Sequence, residues 1–325
     1  MEKKRTSLLG SIGKKPWFSS IIIFLIVFIG MSFAAPGTFL STLNLTNVLR
    51  ASSVYAIMAV GMSFAIMIGG IDLSQGSVLA VVSVIIGLVM KDSVGSMLLG
   101  ILAGLVIGSA IGMLNGYLIG YLDVPPFIAT LGTQYGMRAV ALIITNAAPV
   151  DANYAPFRVL GVGNLLGIPV PVYVVLIIAI VGQFLLSKTT TGRSILAVGS
   201  NAEASRLSGI NVRKIKVTAH TLSGLAVALA AVMYVSRLGA AQPTAGQGYE
   251  SEAVCATVIG GTSIVGGEGS IVGSVIGAII VQILRNGMVL LRVSTYWQQL
   301  IIGVVLIVTV VIDVARKKAE AKKKS

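Results

Sequence analysis

Histidine and cysteine each occur once in this chain, at His220 and Cys255, and their scarcity removes whole classes of chemistry. A single cysteine excludes an intrachain disulfide and a cysteine-rich metal site. A single histidine excludes His-cluster zinc chemistry, and inside an apolar run its expected part is packing rather than proton transfer. Charge is scarce as well. Only 11% of the residues are charged, against about a quarter in a soluble domain, too few to cover the water-exposed surface of a chain of 325 residues. Acid is scarcest, with 11 Asp and Glu against 24 Lys and Arg and a formal net charge of +13. The excess does not point to nucleic acid, because the basic residues flank hydrophobic runs and are not interleaved with aromatics. No Gly-rich loop closing in Gly-Lys-Ser/Thr occurs, and neither does a catalytic triad. The chain is therefore expected to be no enzyme and to bind no cofactor. Its energy must come from another polypeptide.

What is present is apolar: 55% hydrophobic residues, mean hydropathy +0.94 and 38 Gly, the small residues that let bilayer helices approach closely. The expected fold is an all-α polytopic membrane protein of about ten transmembrane helices, since about 20 apolar residues cross roughly 30 Å of hydrocarbon. The spans read as 18–35, 51–68, 76–90, 96–120, 127–146, 171–187, 215–236, 252–266, 271–291 and 297–314. Those at 76–90 and 252–266 are short and glycine-flanked, as in broken transporter helices. A basic stretch before Phe18–Gly30 imitates a signal peptide, but Ser32 to Pro36 makes a weak cleavage site, so a retained first helix is expected.

Positive charge sets the orientation. Lys3, Lys4, Arg5, Lys14 and Lys15 precede the first span; Lys188, Arg193, Arg206, Arg213, Lys214 and Lys216 fill one polar interval; Arg316, Lys317, Lys318, Lys322, Lys323 and Lys324 follow the last. Cytoplasmic loops carry such excess. Segments 1–17 and 315–325 then read as cytoplasmic tails, 18–314 as one membrane unit, 188–214 as a cytoplasmic loop and 147–170 as an external one.

Several residues are candidates for function. Ile68-Gly69-Gly70-Ile71-Asp72-Leu73-Ser74 joins two apolar runs, and Gly260-Gly261 followed by Gly266-Gly267-Glu268-Gly269-Ser270 resembles it, which suggests an internal repeat. Asp72 reads either as a cap of the next helix or as part of a gate. Within the interval 188–214, Ser200 or Asn201 can cap a short helix through Ala202, Glu203 and Arg206 that ends at Gly209. Such a helix suits docking in a partner's groove. Asn115, Gln134 and Asn286 either line a polar path or bridge helices. No acidic residue with a basic mate is expected mid-span, which argues against an ion-driven mechanism. Gly104, Gly108 and Gly112 form a close-packing stripe, facing a second copy or internal to one.

The runs Gly69-Gly70-Ile71-Asp72-Leu73-Ser74, Gly112-Met113-Leu114-Asn115-Gly116, Pro125-Pro126-Phe127-Ile128-Ala129-Thr130-Leu131-Gly132, Gly199-Ser200-Asn201-Ala202-Glu203-Ala204-Ser205-Arg206 and Gly260-Gly261-Thr262-Ser263-Ile264-Val265-Gly266-Gly267-Glu268-Gly269 resemble, in this order, the permease subunits of bacterial ribose/xylose/arabinose-type sugar ABC importers. The resemblance covers about residues 45–314, and Gln75 stands where relatives often have valine. Branched-chain amino acid permeases are similar more distantly. The resemblance implies a bacterial inner-membrane subunit that translocates a sugar brought by an extracytoplasmic binding protein. It also implies a second permease copy and a cytosolic ATP-binding subunit or pair that uses the ATP. Asn201 to Gly209 then corresponds to the coupling helix. A nucleoside, an autoinducer or a branched-chain amino acid is the alternative solute.

Overall fold

The computed structural model describes residues 16–322, with side chains from 19 to 315. The basic clusters at 1–15 and 323–325, and the side chains of 316–322, lie outside the described residues. The chain forms helices α1 (Pro16–Ala34), α2 (Thr42–Met67), α3 (Gln75–Val89), α4 (Val94–Gly120), α5 (Pro126–Thr145), α6 (Ala155–Val162), α7 (Val170–Lys188), α8 (Thr190–Ser200), α9 (Ala202–Leu207), α10 (Val212–Leu238), α11 (Tyr249–Ile259), α12 (Ile271–Leu290) and α13 (Thr295–Lys322). Four two-residue strands complete it: β1 (Val150–Asp151), β2 (Asn164–Leu165), β3 (Ile168–Pro169) and β4 (Ala240–Ala241), with β1 antiparallel to β4 and β2 to β3.

A helix stands at each of the ten expected places, yet among the described residues seven (α2, α4, α5, α7, α10, α12 and α13) are long and apolar enough to cross a membrane. That corrects the count of ten spans. The shortfall has physical causes. Helix α3 starts only after a turn at 68–74, and its 15 residues reach roughly 22 Å at 1.5 Å per residue. Helix α11 has 11 residues and carries Glu250 and Glu252 in its first turn. Helix α1 has 19 residues, and its apolar part with described side chains is Ser19–Ala34.

The interior is built on α2 and α10, whose apolar windows are largely buried, while α13 is the least covered of the seven. The seam between α4 and α10 explains the glycine content. Gly108 faces the Gly224 carbonyl, where an added Cβ would come within 2.9 Å, and Gly120 faces the Arg213 carbonyl at the same distance. Gly112 lies against the His220 carbonyl and Gly116 against Val217. The Gly104–Gly108–Gly112 stripe is thus internal to this chain, and Gly104 packs on Ile86 and Val82 of α3. A side chain anywhere along the seam would force the helices apart.

Contacts sort the loops onto two ends. At one end Asn44 and Asn286 exchange amide hydrogen bonds of 3.0 and 2.8 Å, Arg50 donates to the Val162 carbonyl at 2.7 Å, and Gly87 packs on Val150 and Ala241. The segment 147–170 lies here, ordered by α6 and a hairpin. At the other end the 68–74 turn, the 188–211 interval and the 260–270 turn meet. The Gly267 N–H donates to the Met67 carbonyl at 2.9 Å, and Asp313 accepts from the Ile264 N–H at 3.0 Å.

Candidate functional site

The glycine turns end their helices in the same way. Gly69, at φ +79°, donates its N–H to the Ile66 carbonyl while Gly70 N–H reaches back to Ala65. Gly261, at φ +86°, donates to Val258 while Thr262 N–H reaches Thr257. This is the left-handed helix stop that glycine adopts without a Cβ penalty. Gly69 is therefore equivalent to Gly261, one residue out of step with the pairing of Gly69-Gly70 to Gly260-Gly261 expected from sequence. Gly260 serves close packing instead, its α-carbon lying against the Gly273–Ser274 backbone of α12.

Beyond the first turn Asp72 is buried, 2% exposed. Its Oδ1 accepts from the Ser74 N–H at 3.1 Å and the Ser74 hydroxyl at 2.6 Å; its Oδ2 accepts from the Ser223 hydroxyl of α10 at 2.7 Å. Ser74 also accepts from Asn115 Nδ2 of α4 at 3.0 Å, and Asn115 Oδ1 accepts from Thr133 of α5. Gln75 Nε2 donates to Ser223 at 3.0 Å. Asn115 is fully buried inside this network, where it bridges α3, α4 and α5. The Asp72 contact to Ser74 is an Asx turn that orders the start of α3. Beside it His220 is fully buried, and neither ring nitrogen has a hydrogen-bond partner.

A second polar constellation surrounds the first turn of α11, and sequence reasoning missed it. Glu252 forms an ion pair with Arg285 of α12, and Arg285 also donates to the Tyr55 hydroxyl of α2 at 2.9 Å. Glu250 accepts from Gln134 of α5 at 3.2 Å, and its Oε2 is buried without a partner. Arg138 donates to the carbonyls of Pro243 and Ala245, at 2.7 Å each, and to Gly76, and so clamps the 242–248 stretch onto α3. Glu252 opens the expected span 252–266, so its pairing with Arg285 lies at a span edge and not at the mid-span positions the expectation concerned. The available signal was the cost of charge in hydrocarbon: two carboxylates opening an apolar segment demand partners. Gln134 belongs to this group. Asn286 does not, being held by Asn44.

The interval 188–214 holds two helices, where one was expected. In α9 the Asn201 side chain accepts from the Ala204 N–H at 2.8 Å, and Gly209, at φ +85°, ends the helix. Arg206 pairs with Glu203 at 2.6 Å on the exposed face, and that hydrogen bond holds the Glu203 carboxyl below its ordinary range. Ala202 and Leu207 are exposed as well. Helix α8, opened by a Thr189 cap, was not foreseen. Its last turn brings Gly199 onto the Met67 carbonyl and the Gly267 N–H, with Ser200 against Gly267. A Cβ at Gly199 would overlap the Met67 oxygen. One residue beside α9 therefore touches both glycine turns. Among the described residues no group of three or more His, Cys, Asp and Glu can hold a metal ion.

Comparison with known proteins finds likeness along most of the chain. The model of a family described as branched-chain amino acid transport system / permease component matches residues 44–310. The ribose import permease protein RbsC of Escherichia coli (strain K12) is 42% identical over 306 residues, covering 92% of this chain and 95% of the relative. The protein of the same name from Bacillus subtilis (strain 168) is 41% identical over 98% of this chain and 97% of its own length. A xylose transport system permease protein, XylH, of Haemophilus influenzae is 33% identical over 92% and 96%. No solved structure matches.

Proposed function

This chain belongs to the family of transport-system permease components that the 44–310 match defines, and on that premise we propose that it is the membrane permease of an ABC importer for a sugar of the ribose class. The observation that carries the substrate class is the likeness to ribose import permeases along nearly the whole chain. The end bearing Lys188, Arg193, Arg206, Arg213, Lys214 and Lys216 is cytoplasmic in this reading, because positive charge is retained inside. Segment 147–170 then faces outward, toward an extracytoplasmic sugar-binding protein, in a bacterial inner membrane.

An ATP-binding subunit docks on α9 through Ala202, Arg206, Leu207 and Gly209. Its motion passes from α9 to α8, and from Gly199 to the Met67–Gly69 and Gly266–Gly267 turns together. The Asp72 network carries the first turn's displacement to α3, α4, α5 and α10. Two copies of the chain form the pathway, with the weakly covered α13 available for that contact. The test is uptake of labelled ribose, xylose and leucine by proteoliposomes holding the permease, its ATP-binding subunits and the binding protein. Pentose uptake that needs ATP and this chain supports the reading; leucine uptake without pentose uptake overturns it.

A further inference from the structure

Between the start of α13 and the first turn of α11 lies a cavity of about 300 Å³, at the low end of small-molecule sites, roughly 300–1,000 Å³. Its walls are polar, as are those of the cavity beside Lys91, Asp92, Asp151 and Asn153. Two other cavities, one beside Met113 and Val217 and one beside Ile23 and Val305, are walled mainly by apolar residues. Here Gln247, Ser251, Gln298 and Gln299 surround the Glu252–Arg285 pair. Amides and hydroxyls at the edge of hydrocarbon are costly unless they meet partners. Ser251 and Gln299 are exposed to the cavity mouth and form no hydrogen bond among the described residues. Both hydrogen bonds of Arg285 run through Nη1. Donors and acceptors are thus left over on every polar wall.

We propose that this cavity is the outward-facing reception site of the permease and that it takes a neutral polyhydroxylated solute. The inference rests on the importer reading above and assigns residues to its outer half. Charge decides the ligand class. The carboxylate and guanidinium already neutralise each other, so the site offers no unmatched charge to a sugar phosphate or a free carboxylate. A branched-chain amino acid needs separate partners for its two charges and an apolar wall for its side chain, and only Ile302 and Leu306 supply the latter. Glutamine and serine side chains both donate and accept, which matches the alternating demands of sugar hydroxyls. Position agrees as well: the cavity opens beside the α12–α13 connection, at the end away from α8 and α9.

The test uses the complete transporter in proteoliposomes. Ser251→Val with Gln299→Leu removes two hydrogen-bonding groups that hold no part of the fold in place. The expected result is a half-saturating pentose concentration raised about tenfold, the loss expected for two modest hydrogen bonds, with assembly and ATP hydrolysis stimulated by the binding protein unchanged. Gln299→Asn, paired with wild-type Ser251, should recover most of the affinity. Unchanged uptake kinetics in the double variant overturn the site. So does a fall in maximal uptake alone, in proportion to lost assembly, which marks a structural role. A wild-type transporter that moves leucine and no pentose fails the importer reading itself, whereas pentose transport indifferent to both substitutions fails only the cavity.

Discussion

Asp72 shows how a single side chain can be read in two ways until its partners are known. From sequence it was either a cap or a gate residue. In the structure its two oxygens take three hydrogen bonds from two residues 149 positions apart, Ser74 and Ser223. Replacing it with alanine strands the Ser74 N–H and loosens the tie to α10. Leaving a buried donor unsatisfied costs about 1–3 kcal/mol. Asp72→Ala should therefore lower thermal stability in detergent by at least that amount, and Asp72→Asn by clearly less, because the Asn oxygen still accepts from Ser74 and the Ser223 hydroxyl can turn to accept. Equal losses for the two would show that charge, not hydrogen bonding, holds the turn. Arg206 is the opposite case. Its ion pair with Glu203 is exposed on both sides, where water and salt screen the attraction. Arg206→Ala should leave the unfolding temperature unchanged while weakening association with the ATP-binding subunit.

At the scale of elements, the decisive junction is where α8 ends on the two glycine turns. Gly199→Ala places a methyl group on the Met67 carbonyl and should cut uptake while α9 still binds its ATP-binding partner, measured by co-purification. Arg206→Glu with Ala202→Trp should do the reverse and lose association with a normal membrane level. If both variants transport like the parent, the interval is only a cytosolic loop. Helices were the legible part of this fold, since apolar length alone places them, and so was the α9 cap, because Asn201, Gly209 and the residues between them are local. Three things were not legible. Helix α8 has the polar, threonine- and glycine-rich opening of a loop. The pairing of Glu252 with Arg285 depends on the mutual register of α11 and α12 across the eleven-residue connection 260–270. The equivalence of Gly69 with Gly261 is set by backbone dihedrals, and paired glycines in sequence conceal a one-residue slip.

For the whole molecule the sequence indicated a membrane protein of one unit but overcounted its crossings, because apolar segments that only enter a bundle share their composition with those that cross it. The grouping of loops onto two ends agrees with the charge bias, and it yields a topology to test. Reporter fusions after Ile210 and near Tyr154 should report opposite sides, with the former cytoplasmic; the same side for both would overturn the orientation. The α4–α10 seam has a consequence of its own. Its glycines recur every fourth residue, about 6 Å of rise, and each sits over a backbone atom of the other helix. Sliding by a fraction of that pitch drives a neighbouring side chain into a carbonyl, and sliding by a full pitch forfeits the bonds at Ser223 and Asn115. The two helices are therefore commensurate and locked, like meshed teeth with no play. They are expected to turn as one body, so that in a transport cycle the relative travel falls to the helices without such teeth.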